Sequence, residues 1–190
     1  METVDQIIRE RRSIYTSMFS GEAVKDEIIN DMLENANWAP THKLTEPWRF
    51  VVFKGKGLKK LATFQSELYK KRAESQGNFN EIVFGKLAKK PLECSHIIAL
   101  GLKRHPVVPE VEEVCAVAAA VQNMLLTATQ KGIACYWSTG GITFYEEAKP
   151  FFNLAEEDKL LGFLLIGMPK SSMALPGNRK PIDDKVNWVQ

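Results

Sequence analysis

The chain has 190 residues, of which 45% are hydrophobic and 25% charged, proportions that suit one soluble globular domain with a sizeable core. Its 25 basic residues nearly balance its 23 acidic ones, so charge gives no general attraction to nucleic acid or to an anionic membrane, and any anion site must be local. Three cysteines and three histidines are scattered without paired or metal-ligand spacing, which argues against a disulfide framework and against zinc.

Met1-Glu2-Thr3-Val4-Asp5 is too acidic to be a secretory leader. Cys94, Cys115 and Cys135 lie in apolar neighbourhoods and read as free thiols in a reducing compartment, so a cytoplasmic protein is expected. Val4, Ile7 and Ile8 predict a short amphipathic helix that runs into Arg9-Glu10-Arg11-Arg12-Ser13. Ile28, Ile29, Met32, Leu33 and Ala36 predict a second helix from Lys25 to Trp38, stopped by Pro40. Ala39 to Phe50 then reads as an ordered loop between prolines that delivers the chain into a strand, Arg49 to Lys54, with Gly55 and Gly57 bracketing a turn after it.

The segment 58–90 is long, polar and basic, and is expected to form two helices broken near Gly77-Asn78, as a covering flap or a plain exposed pair. Cys94 to Leu102 predicts a buried strand, and His105 to Pro109 a rigid loop. Glu110 to Lys131 predicts the main helix. From Val114 to Val121 it is apolar on every face, so it must be covered all round, either inside one subunit or against a second. Its polar residues, among them Gln122 and Asn123, make it a poor bilayer span. Gly132 suits a helix C-terminus, Ile133 to Trp137 and Leu160 to Ile166 predict strands, Phe144 to Phe152 reads as helical, and Val186 to Val189 is a candidate edge strand. The expectation is a single α+β domain spanning 1–190.

Three groups could carry chemistry. Adjacent guanidiniums in Arg11-Arg12, with the hydroxyl of Ser13, could seat a phosphate, although a basic helix C-terminus also favours the macrodipole. Arg179-Lys180, between Gly177 and Pro181, reads as a second anion contact or as a solvated turn. Trp137-Ser138-Thr139-Gly140-Gly141 after a strand offers hydroxyls and amides to a flat ligand, or simply a tight turn. No dinucleotide fingerprint, phosphate-binding Gly-Lys-Ser/Thr loop or nucleophile elbow is present.

Taken in order, Arg11-Arg12-Ser13, Ala39-Pro40 through Glu46-Pro47-Trp48, the alanine-rich helix, Gly132 with Trp137, and Gly162 to Pro169 form a series that resembles the FMN-dependent nitroreductase family over essentially the whole chain. The Ala-Pro-Thr-His-Lys-Leu-Thr-Glu-Pro-Trp loop is most similar to the YdjA-like subgroup of NAD(P)H nitroreductases. The resemblance implies a central, mainly antiparallel sheet flanked by helices in an intertwined homodimer, with FMN at the subunit interface. It implies contacts to the FMN phosphate and ribityl chain from Arg11, Arg12 and Ser13, with Arg179 reaching the phosphate. It places Trp137, Ser138 and Thr139 beside the ring and ribityl chain, and Lys90 near the pyrimidine end. His42 and Glu46 would come from the other subunit's loop.

Two departures bear on function. Glu46 stands where the family commonly has glutamine, and a carboxylate there disfavours an anionic reduced flavin unless Lys43 or Lys90 neutralises it. Tyr15 stands where many members have a basic residue. The implied activity is a ping-pong oxidoreductase with NAD(P)H as transient donor and a nitroaromatic, quinone or similar small molecule as acceptor. The alternatives are a specialised flavin enzyme (dehalogenase, dehydrogenase or flavin-cleaving) and a non-catalytic flavin-binding protein.

Overall fold

A computed structural model of the chain describes residues 3–171 and 175–190. Four strands, β1 (Trp48–Lys54), β2 (His96–Leu102), β3 (Ala134–Ser138) and β4 (Lys159–Gly167), form one sheet in the order β1-β2-β4-β3. Every pairing in it is antiparallel. All positions of β2 are buried, as a continuous apolar run requires when both faces of a strand are covered.

The strands alternate between two cores. Ile98, Leu100, Leu102, Leu164, Ile166 and Cys135 face one side, and Ile97, Ala99, Phe163, Leu165 and Ala134 face the other. On the first side lie α5 (Glu110–Gln130) and, packed against it, α2 (Asp26–Asn37). On the second lie α3 (Lys56–Ser75) and the turn segment Glu146–Phe152. There the Phe64 and Phe151 rings stack at 3.8 Å. The two remaining helices, α1 (Val4–Glu10) and α4 (Glu81–Lys89), bury none of their residues.

The segment 58–90 therefore divides. Its first helix, α3, buries Leu58, Leu61, Ala62, Gln65 and Ser66 at helical spacing and is a core element, because one apolar stripe suffices for a helix with a polar back. The second helix of the segment, α4, buries no residue. Gly55, at φ +50°, caps the N-terminus of α3, whereas Gly57 lies within its first turn, so the pair does not bracket a separate turn. Gly132, at φ +68°, terminates α5 as expected. Val186 to Val189 forms no strand and is exposed: no described strand lies beside it to complete a ladder.

One side of α5 stays uncovered. Val111, Cys115 and Gln122 are exposed, and Val114, Ala118 and Ala119 are only half-buried. Among the described residues α5 alone is long and apolar enough to cross a membrane, and half of that apolar stretch is packed in the core. Cys115 is exposed, unlike Cys94 and Cys135. Burial pushes the Cys94 thiol up to about 12 and the Cys135 thiol up as well, so both stay protonated at neutral pH.

A polar chain ties α2 to the sheet. The Ser95 hydroxyl accepts the Val24 N–H at 2.7 Å and meets His96 Nδ1 at 2.9 Å; His96 Nε2 lies 3.1 Å from Asp26 Oδ1, and Lys54 pairs with the same carboxylate. This serine, histidine and aspartate fix the start of a helix; the serine oxygen is already engaged by backbone. Hydrogen bonds from Lys54, then His96, hold the Asp26 carboxyl below the ordinary carboxylate range. The unfolded chain thus takes up the Asp26 proton at a higher pH than the native one. The associated stability is present above the unfolded value near ~3.9 and is lost as pH falls through the lower native value. Denaturant midpoints of wild type and Asp26→Asn should therefore differ at neutral pH and converge on acidification; parallel curves throughout would disprove the linkage.

Candidate functional site

Thr3 and Gln6 form a capping box that starts α1, and the Arg11 N–H closes it on the Ile7 carbonyl at 2.9 Å. The chain then runs extended beside β3, where the Ile14 N–H donates to the Cys135 carbonyl at 2.9 Å. Arg11 is half-buried there, and Arg12 and Arg179 lie close enough to act on its charge. Burial, then Arg179, then Arg12, lower its pKa. Among the described residues no carboxylate pairs with any of these three arginines. Clustered guanidiniums without a counter-charge are chemically suited to a phosphate or other oxyanion. Ser13 is exposed next to them.

Tyr15, two residues further on, packs on Tyr136 with ring centroids 4.7 Å apart, and Lys90 Nζ sits 4.9 Å from the Tyr136 ring centre. This shelf borders a cavity of about 1060 Å³. Its floor is Ile97, Phe163 and Leu165 of the sheet, its roof is α4, and Ser138 and Gly140 rim it. The Thr16 hydroxyl, also on its wall, donates to Glu93 Oε2 at 2.5 Å. A concave, mainly apolar space with a few convergent polar groups is the usual form of a small-molecule site.

The end of β3 is shaped by a bulge in β4, where an extra residue lies opposite the step from Ala99 to Gly101. Gly162, at φ +122°, makes it possible: a Cβ there would lie 2.4 Å from the Ser138 carbonyl oxygen. Trp137 donates its Nε1–H to the Leu161 carbonyl at 3.0 Å and packs on the α5 side of the sheet. Within one chain, then, Trp137 and Ser138 lie on opposite faces: of the expected trio only Ser138 lines the cavity, and Thr139 is exposed beyond it.

His42 and Glu46 lie elsewhere, in the loop that leads into β1, the opposite edge strand from β3. Buried Pro47 and Trp48 anchor that loop, with Trp48 Nε1–H donating to Asn37 Oδ1 at 3.0 Å. His42 Nδ1 is 3.7 Å from Glu112 Oε2, over a hollow of about 470 Å³ shared with Val111, Cys115 and Ala119 of α5. Lys43, Leu44 and Glu46 all have positive φ, at 50°, 54° and 43°, a region costly for residues with a Cβ. Glu46 is exposed, its N–H donating to Thr41 Oγ1 at 3.2 Å.

Residues 8–168 match the model of the nitroreductase family. The chain belongs to that family. Among its relatives, the Bacillus subtilis protein YfhC is 28% identical over 94% of this chain and 90% of its own length, and Escherichia coli YdjA is 26% identical over 90% of each; both are provisionally named NAD(P)H nitroreductases. A Desulfovibrio desulfuricans protein, provisionally named a nitroreductase and solved in complex with FMN, superposes with a TM-score of 0.74 at 25% identity, covering 100% of this chain and 98% of that one. The nitroreductase fold anticipated from the motif series, an antiparallel sheet flanked by helices, is thus the fold observed.

The chain brings together Arg11, Arg12 and Arg179, with Ser13 next in sequence, and separately places Lys90 and Ser138 on the cavity that Tyr15 lines. Tyr136 was not singled out from sequence, and nothing in an alternating strand marks one tyrosine as a shelf. Among the described residues no cluster could hold a metal ion. Gly162→Ala should cost about 1–3 kcal/mol of stability, read as a lowered urea midpoint, because the new methyl must displace the Ser138 carbonyl. An unchanged midpoint would mean that the bulge is not under this constraint.

Proposed function

We propose that this nitroreductase-family chain is an FMN-dependent oxidoreductase that uses NAD(P)H to reduce a small acceptor, such as a nitroaromatic or a quinone, in the cytoplasm. The observation that carries the proposal is the half-buried Arg11 grouped with Arg12 and Arg179, without a described carboxylate partner, on a segment that runs on into the cavity wall at Tyr15 and Thr16. A cationic cluster of this kind needs an anion, and a phosphate on a flat cofactor supplies one while its ring takes the adjoining space. The FMN-bound relative and the names of YfhC and YdjA support the same choice.

The residues divide the work. Arg11 and Arg179 would neutralise the phosphate, and the Ser13 hydroxyl would donate to a phosphate or ribityl oxygen. Ser138 and Thr139 would hydrogen-bond the ribityl chain. Lys90 would place a positive charge against the pyrimidine edge, which favours negative charge developing there. FMN, when bound, accepts hydride from the nicotinamide and returns it to the acceptor, so the protein binds, orients and tunes. The roof from α4 would exclude water, and the two substrates would occupy the same space in turn, a ping-pong order.

Association into a homodimer is supported by three features of the chain. His42 and Glu46 stand at the sheet edge opposite to Lys90, so they reach a shared flavin only from another subunit. Leu44 is held 83% exposed on their loop, and the uncovered side of α5 offers small and apolar residues beside it. Free thiols suit a reducing cytoplasm.

Reconstituted with FMN, the protein should absorb near ~450 nm and be bleached anaerobically by NADH or NADPH. Arg11→Ala should weaken FMN binding roughly 10–100-fold, the scale of a charge-assisted hydrogen bond. A protein that stays colourless with FMN overturns the proposal. A yellow protein that neither nicotinamide bleaches leaves binding without turnover.

A further inference from the structure

We propose that Arg12 is a positioning residue that clasps the C-terminal segment and so sets Arg179 beside Arg11, the anion seat being assembled from both ends of the chain. This rests on the phosphate reading of Arg11 and Arg179 given above. Adjacent arginines invite the same role, yet their side chains are used differently. A guanidinium has five N–H donors, and Arg12 commits three to backbone. Its Nε–H donates to the Leu175 carbonyl at 2.9 Å, and its Nη1 group to the carbonyls of Arg9 at 2.5 Å and Arg11 at 2.9 Å. Its remaining edge lies flat on Gly177, where a Cβ would come within 2.1 Å of Nη2.

Arg11, by contrast, makes no described side-chain hydrogen bond, and Arg179 makes only one, from Nη1 to the neighbouring Asn178 carbonyl at 2.7 Å. Those two guanidiniums are free for an anion; Arg12 is spent. The clasp also answers an electrostatic difficulty. Arg179 and Arg11 carry like charge and repel one another, which after burial is a cause of the lowered pKa of Arg11, and without the anion nothing else described draws residue 179 towards residue 11. Two hydrogen bonds to the Arg9 and Arg11 carbonyls fix the half-buried fork, and its third, to the Leu175 carbonyl, together with the contact on Gly177 holds the C-terminal segment before the phosphate arrives. Lysine cannot substitute, since a compact ammonium lacks the planar fork that spans three carbonyls. Any side chain at Gly177 would lift the guanidinium off the segment.

The test uses the full-length protein with two probes, FMN and riboflavin, which lacks the phosphate. Arg12→Ala, Arg12→Lys and Gly177→Ala should each weaken FMN about tenfold, as Arg179→Ala should, and leave riboflavin affinity unchanged. Arg12→Ala combined with Arg179→Ala should bind FMN no more weakly than either alone. Backbone hydrogen exchange over 175–180 should rise in Arg12→Ala both with and without FMN. Additive losses in the double variant would mean that Arg12 binds phosphate directly, and unchanged exchange would mean that there is no clasp; either overturns the inference. Gly177→Ala removes no charge and keeps the test decisive should Arg12→Ala fold poorly. Arg11→Ala with wild-type FMN affinity would instead defeat the phosphate reading, while the exchange data would still report on the clasp.

Discussion

Covering β2 on both faces is the constraint from which the rest of the molecule follows. A strand with no exposed position needs a layer on each side, and in this chain α5 with α2 supplies one layer and α3 with residues 146–152 the other. The sheet that β2 organises then has two free edges, β1 and β3, and everything of functional interest gathers at one or the other. The arginines precede the stretch that runs along the β3 edge, and the Tyr15–Tyr136–Lys90 shelf lies at that edge beside the cavity. The His42–Glu46 loop belongs to the β1 edge, against the start of α5. A four-stranded sheet holds these groups apart, so in the proposed dimer the second subunit is a structural part of each site.

The β3 edge shows how local exceptions make a site. A regular β4 would leave no room for the Ser138 carbonyl. The bulge at Gly162 leaves space for that carbonyl, while the alternation of β3 puts Trp137 on the α5 face and Ser138 on the rim of the cavity. Segment 11–20 repeats the pattern. It follows the β3 edge through Ile14 and then crosses to the end of β4, where the Ser20 N–H donates to the Met168 carbonyl at 2.8 Å and Phe19 lies so close to Gly167 that a Cβ there would sit 2.4 Å from the ring. Anchored at both ends, the segment holds Arg11 and Tyr15 in fixed relation to the sheet.

Much of this was legible in the sequence, and the failures have physical reasons. The periodicity of α2, the apolar runs of β2 and β4, and the glycine after α5 are local signals, and local signals survive folding. The polar back of α3 hid its single buried stripe and made a core helix look like a flap. Val186 to Val189 has strand-forming residues, but a strand exists only with a neighbour to pair with, and sequence does not say where the neighbour is. Arg11 and Arg12 are indistinguishable as letters. What separates them is which carbonyls each can reach, and that depends on residues about 163 positions away. Trp137 and Ser138 were read as one group, although successive residues of a strand point to opposite faces.

The loop 39–50 combines strain with exposure. Lys43, Leu44 and Glu46 occupy left-handed backbone that glycine would adopt without penalty, at a cost of order 1 kcal/mol or more each. Such geometry persists only where flanking structure over-determines it, here through buried Trp48 at one end and the Thr41 hydroxyl, which accepts from the Glu46 N–H, at the other. The result is a rigid arm that presents Leu44 outward before any partner arrives. Ordering costs on association fall when a contacting loop is already fixed, so in the proposed dimer the strain within one chain would lower the cost of joining two. The same rigidity fixes the backbone at Glu46. Its carboxyl group is exposed and unpaired by any described ion pair, and in the proposed dimer it is the acidic group that the loop would carry to the neighbouring site. A flavin there would then lie between Glu46 of one subunit and Lys90 of the other, and the balance of those two charges would govern how readily its ring accepts electrons.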